Sequence, residues 1–488
     1  MANRVKVLLV GGSFGAVLLV LLMLVFGGGV AKGFFSGNFL NSREREPQVA
    51  MIETEEVRVE ENQPTATEIQ PTEVQEEVVV EVEPTATPEP TEVPEPTATA
   101  PAEVNVQGPF GPNPEDFPEG VNMLTGEFSS DPGTLGFQPA LVSITNWPIT
   151  ARPQAGIGSA SIIYELYIGQ GMSRFLGLFY GEFPGDSGDG LTLDNDSADS
   201  IGPIRSGRLP YEGIRRLHNG FLVMASAFAG VSQNLDNFTN VYSSDDGDIN
   251  SAMIPVGELK EIASQNSGSL VPGALSGNLF DPATPDGGMP ADTFWFIYNT
   301  QNQIAWRYDE TSGSYYRYAD QADGRTFVRL QDRIDGAPVD VSNVVLLYAN
   351  HRYCTDKAFD IDLLSINSMP ATVFRDGMKF DVNWTTKNGD FEQETGALRP
   401  IRFIDANGDP FALKAGTTWI ILVPSFTPQW EAPLFEEVPT DLDVWMPEEP
   451  DKLLYRLLNG KEPGTGVWVS RFYQSLMTYD QNVCSQIQ

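Results

Sequence analysis

The chain has 488 residues, enough for two or three domains. It sets 30 Lys and Arg against 66 Asp and Glu, a formal net charge of −36, and so acidic a surface repels phosphate backbones and excludes nucleic acid as a partner. Its two cysteines and two histidines are too few for a disulfide scaffold, a four-cysteine metal site or histidine triad chemistry, so no metal and no cofactor is expected.

Val7 to Phe26 carries no charge over about 20 residues, the length of a membrane-spanning helix. Arg4 and Lys6 precede it and hold the N-terminus in the cytoplasm. Residues 1–31 are therefore predicted to be a single-pass anchor, the membrane partner of the chain, with everything downstream extracytoplasmic. The competing reading is a signal peptide cleaved near Gly29-Val30-Ala31. Residues 32–107 are predicted to be a disordered stalk. From Arg43 to Val106 the chain repeats Pro-Thr, Glu-Val and Thr-Ala-Thr without one aromatic residue, and cannot build a core.

The fold class is predicted as α+β. Residues 108–290 read as an N-terminal α/β-type domain. Ala140 to Thr145 is a buried strand, and Ser161 to Ile168 with Arg174 to Tyr180 form a hairpin across Gly169 and Gly171. Helices are expected at Leu209–Asn219, Val231–Phe238 and Pro255–Gln265, with a strand at Phe221–Ala227. Asp186 to Asp199 holds five aspartates; a solvated loop is the main reading and calcium the alternative, since the spacing fits no EF-hand. Gly185-Asp186-Ser187-Gly188 echoes a serine-protease segment, but no histidine precedes it.

Residues 291–424 read as a β-rich domain, a small barrel or sandwich, with Asp376-Gly377 turning a hairpin. Residues 425–488 are a C-terminal extension with a helix at Lys452–Leu458. A Cys354–Cys484 bridge would clip this extension to the second domain, and two free thiols are the default.

Charges beside apolar runs mark the candidate site. Glu165 lies inside the first hairpin strand and Arg174 opens the second, and a buried charge needs a partner, so a Glu165–Arg174 pair is expected. Arg152 and Gln154 sit on a loop constrained by Pro153, Gly156 and Gly158. Arg205-Ser206-Gly207-Arg208 follows a Gly-Pro turn and places two guanidiniums as a fork for carboxylate or phosphate; the alternative is internal pairing with Glu165 or nearby aspartates. The expected ligand-binding set is Arg152, Gln154, Glu165, Arg174, Arg205, Ser206 and Arg208, its arginines converging on one concave site for an anionic ligand. No catalytic residue is assigned. His218 is expected as a cation at a helix end, and His351 at the surface.

The segments RPQAGIGSASIIYE, SRFLGLFY and IGPIRSGR, with Asn122 to Gly126, Thr372 to Trp384 and Gly416 to Pro424, resemble the YerB-like lipoprotein family of bacteria, a two-domain family of unknown function. The resemblance covers residues 122–424. It implies an envelope location but carries no reaction. The lipid-modified cysteine typical of that family has no counterpart, since the first cysteine is Cys354, so attachment falls to the helix. A Pro-His-Asn segment of the family is replaced by Ile249-Asn250-Ser251-Ala252-Met253. The expected function is a membrane-tethered extracytoplasmic binding protein of the cell envelope. The alternative is an envelope hydrolase or transferase acting on wall polymer through Glu165 or an aspartate, which two carboxylates facing across a cleft would favour.

Overall fold

The computed structural model describes residues 108–185, 200–355 and 358–487. The expected anchor, stalk and acidic loop with its calcium alternative lie outside the described residues. Among those described, no helix is long and apolar enough to cross a membrane.

Strands dominate and the helices are few and short, a mixed α+β fold. The principal strands are β1 (Ala140–Thr145), β2 (Ile162–Gly169), β3 (Met172–Phe179), β4 (Phe221–Met224), β5 (Phe238–Asn240), β6 (Thr293–Asn299), β7 (Asn302–Asp309), β8 (Ser314–Asp320), β9 (Asn343–Ala349), β10 (Met369–Arg375), β11 (Met378–Thr385), β12 (Arg402–Ile404), β13 (Thr418–Pro424) and β14 (Val467–Arg471). The larger sheet has the order β12-β11-β10-β9-β13-β2-β3-β1-β4-β5, so the two sequence halves build one sheet. They meet where β13 pairs parallel with β2, Ile162 opposite Thr418 and Glu165 opposite Ile421. The expected β2–β3 hairpin is present, with Ile162 opposite Leu178 and Glu165 opposite Phe175.

The second sheet runs from Gln429–Glu431 through β14, β6, β7 and β8 to Phe327–Arg329 and Val444–Trp445. Its strands bury both faces, which is why β6 reads TFWFIYN without polar alternation. Phe294, Phe296 and Trp306 enter the core shared with the larger sheet. Trp295, Ile297 and Ala305 point the other way, into a second core closed by Leu453 and Leu457 of the helix Pro450–Asn459. The β-rich half thus does not close on itself as a barrel. Its strands divide between two sheets, and the extension beyond residue 424 supplies strands at both ends of one of them.

The helix expected at Val231–Phe238 is one turn, Ala229–Ser232, followed by β5. Asn234 donates its side-chain amide to the Gly230 carbonyl at 2.8 Å, and Asn237 takes a left-handed φ of 48°, so the turn cannot continue.

The expectation of two free thiols is overturned. Cys354 and Cys484 form a disulfide, their Cα atoms 4.9 Å apart. Arg352 reinforces it, reaching Asp480 at 3.0 Å, Asp360 at 3.1 Å and Asp362 at 2.8 Å. The His218 expectation holds for its place at a helix end but not for its charge, and the His351 expectation fails. His218 caps the helix Pro210–Leu217 but is fully buried, 2.7 Å from the Tyr164 hydroxyl, and burial pushes it down to about 3, so it is neutral rather than a cation. His351 is buried rather than at the surface, and is pushed down to about 4.

Two outcomes follow. Cys484→Ser should lower stability by about 2–4 kcal/mol, read as a fall in the urea midpoint, and non-reducing peptide mapping should recover Cys354 and Cys484 on one linked fragment. The histidines bind a proton in the unfolded chain below about pH 6.5 but not in the fold, so their contribution is full above that pH and lost as pH falls toward 4 and then 3. The stability of His218→Gln should fall less steeply than that of the native protein between pH 6.5 and 4.

Candidate functional site

The strand register separates the expected site residues. Glu165 stands opposite Phe175, whereas Arg174 stands opposite Leu166 and Thr145. One residue of offset puts two side chains on opposite faces of a sheet, so the expected Glu165–Arg174 pair does not form. The seven residues fall into two groups.

The first group lies between the sheets. Glu165 is fully buried and pairs with Arg317 of β8, 3.1 Å from its Nη2. It also accepts from Ser173 Oγ at 2.7 Å and Trp419 Nε1 at 3.0 Å. The Arg317 guanidinium lies 5.1 Å from the Phe175 and Trp419 ring centres and 5.9 Å from that of Trp306. An ion pair this enclosed, with its remaining lone pairs satisfied, holds the sheets in register.

The constrained loop beside it is clamped by the other half of the chain. Arg152 donates to Asn146 Oδ1 at 3.0 Å and to the Asp320 carbonyl at 2.7 Å, and burial with nearby Arg317 brings it down to about 9. Gln154 is buried and donates to the Thr145 carbonyl at 3.0 Å. Asp332 accepts from the amides of Gly156 at 2.8 Å and Gly158 at 2.7 Å. Gly156 has a φ of 78°, and a Cβ there would meet Ile201 at 2.8 Å. The RPQAGIGS segment therefore braces the junction between the halves.

The second group lies on the opposite face, where Tyr211 of the helix Pro210–Leu217 meets Ser143 of β1 at 3.1 Å. Arg174 is buried and donates to the Ser206 carbonyl at 2.6 Å. Arg208 donates to the carbonyls of Gly207 at 2.9 Å and Ser206 at 3.3 Å. Arg205 reaches Asn250 Oδ1 at 2.8 Å and the Ile249 carbonyl. A Cβ at Gly207 would lie 2.4 Å from Met224 Sδ, so glycine lets the loop lie flat on β4 and gather the arginines. Burial first and Arg208 second bring Arg174 down to about 10. Among the described residues none of these three guanidiniums forms an ion pair; Asp248 acts on Arg205 at longer range.

A cleft of about 720 Å³ opens elsewhere, between the turn at 122–129, the loop at 158–161 and residues 376 and 414–417. Asn122 builds its wall, donating to the Tyr180 carbonyl at 2.6 Å and accepting from the Leu124 amide at 2.9 Å. Glu127 and Glu182 both line it. Sequence reasoning missed these residues, and also Arg317 and Asp332. For Arg317 a signal existed: a charge in the middle of the tyrosine-rich run SYYRYAD of β8.

Comparison with known proteins matches the N-terminal domain of a protein of unknown function (DUF3048) to residues 124–255. The C-terminal domain of the same family matches residues 295–420. A Bacillus subtilis (strain 168) protein described as "Putative lipoprotein YerB" is 25% identical over 308 residues, covering 59% of this chain and 81% of that protein. The crystal structure of YerB from Bacillus subtilis aligns with a TM-score of 0.48 at 21% identity, covering 62% of this chain and 97% of that one.

Removing one partner of the ion pair strands a buried charge. Arg317→Met should cost about 3–5 kcal/mol in denaturant unfolding. Glu165→Gln with Arg317→Met together should cost less than the sum of the two single changes, the sign of direct coupling.

Proposed function

The chain belongs to the two-domain YerB-like family, whose function is unassigned, and we propose that it is a membrane-associated, extracytoplasmic binding protein of the bacterial cell envelope that holds an anionic ligand. The observation that carries this reading is the cluster of Arg174, Arg205 and Arg208, three cations whose hydrogen bonds among the described residues go to neutral oxygens. In a chain of net charge −36, carboxylates for internal pairing are plentiful, yet the fold brings carbonyls to this cluster. The carbonyls fix the guanidinium planes without an ion pair among the described residues, the condition under which an arginine fork recognises phosphate or carboxylate.

The location rests on three supports. The relative is described as a lipoprotein. The Cys354–Cys484 disulfide suits an oxidising compartment. The uncharged segment at 7–26 has the length of an anchor. Both cysteines of the chain are joined to each other and neither is left to carry a lipid, which favours attachment through that segment.

The hydrolase reading has less support. Glu165 is committed to Arg317 and Trp419 and offers no free oxygen for acid–base work. Glu182 is engaged by the amide and hydroxyl of Ser130, each at 2.5 Å.

Polyphosphate titrated into the protein at low ionic strength should raise its melting temperature, an effect lost in high salt. Arg205→Ala removes a partly exposed side chain and should change the intrinsic stability by no more than about 1 kcal/mol while abolishing the polyphosphate response. An unchanged response in both Arg205→Ala and Arg208→Ala would overturn the assignment.

A further inference from the structure

The cleft is large enough for a small ligand, and at about 720 Å³ it falls within the usual range of such sites. Its polar groups are unequal in how far the protein satisfies them. Asp376 is neutralised by Arg375 at 2.7 Å and Lys414 at 3.0 Å. Lys414 also donates to the Gly313 carbonyl. Glu182 is held by Ser130. Glu127 differs: among the described residues its carboxyl has no hydrogen-bond or ion-pair partner, and it borders the cleft together with Glu182. Glu127 is exposed where it borders the cleft. Partial desolvation first, then Glu182 and Asp340, raise its carboxyl above the usual carboxylate range.

A carboxyl on which the charges of Glu182 and Asp340 act, with no partner of its own among the described residues, is what a cation would relieve. The same cleft carries an apolar wall. Phe128 is 50% exposed and lines it beside Pro282 and Phe183. An aromatic face next to a carboxylate attracts an ammonium group and covers the carbon chain attached to it. We infer that this cleft binds an organic amine, its ammonium at Glu127 and its uncharged body along Phe128 and Pro282. The site lies apart from the arginine cluster and takes a ligand of the opposite charge, so the two assignments stand or fall separately.

The experiment uses hexylamine as probe and hexanol, the same body without the charge, as control, by calorimetric titration of the native protein. Hexylamine should bind and hexanol should bind at least about tenfold more weakly. Affinity for hexylamine should rise with pH as Glu127 gives up its proton, because the ammonium selects the carboxylate form. Glu127→Gln should weaken hexylamine about tenfold and remove that pH dependence, and Phe128→Ala should weaken both probes. The polyphosphate response should be the same in Glu127→Gln as in the native protein. Equal binding of hexanol and hexylamine, native-like hexylamine binding by Glu127→Gln, or no binding at millimolar hexylamine would each overturn the proposal.

Discussion

The packing of the two sheets against each other depends on one buried ion pair. Glu165 belongs to β2 in the larger sheet and Arg317 to β8 in the smaller one, and neither charge can be left in that interior alone. Desolvating both is expensive, and the Coulomb attraction offsets it only when the geometry is good and every remaining lone pair has a donor. Ser173 and Trp419 supply those donors, and three aromatic rings surround the guanidinium. A slip of one residue in β2 would turn Glu165 to the far face and strand Arg317. The pair therefore fixes the register of two sheets at once, which apolar contacts of similar area would specify less sharply.

The division of charge across the larger sheet follows from the same register. Side chains alternate along β3, so Ser173 joins the carboxylate on the inner face while its neighbour Arg174 joins the arginines on the outer one. The inner face is closed and pairs its carboxylate with the Arg317 guanidinium. The outer face gathers cations on a loop held by carbonyls, and the cleft at the junction of the halves keeps a carboxyl that has no partner among the described residues.

Much of this was legible in the sequence. The β2–β3 hairpin, β1, most strands of the β-rich half and the helices Pro210–Leu217, Val256–Gln265 and Pro450–Asn459 follow from apolar runs, glycine turns and proline starts. Glu165 was recognisable as a buried charge needing a partner, but its partner lay in a tyrosine-rich strand about 150 residues away, a separation that local pattern cannot bridge. The constrained loop was visible through Pro153, Gly156 and Gly158, yet its purpose depended on Asp332, which only the fold brings to it. The arginines read as one group because sequence order does not show which face of a sheet a side chain takes. The residues beyond 424 read as an appendage, because a strand that completes someone else's sheet carries no mark of where it will pair.

That last feature has a consequence for how the molecule comes into being. β6 lies between β7 and β14, and β2 lies between β3 and β13, so each of these central strands waits for a partner made more than a hundred residues later. Pairing over such distances is slow because loop entropy is lost before the contacts are gained. A nascent chain halted at Pro424 would hold β6 as an open apolar edge, a template for aggregation. The last principal strand made is thus the one that closes the sheet.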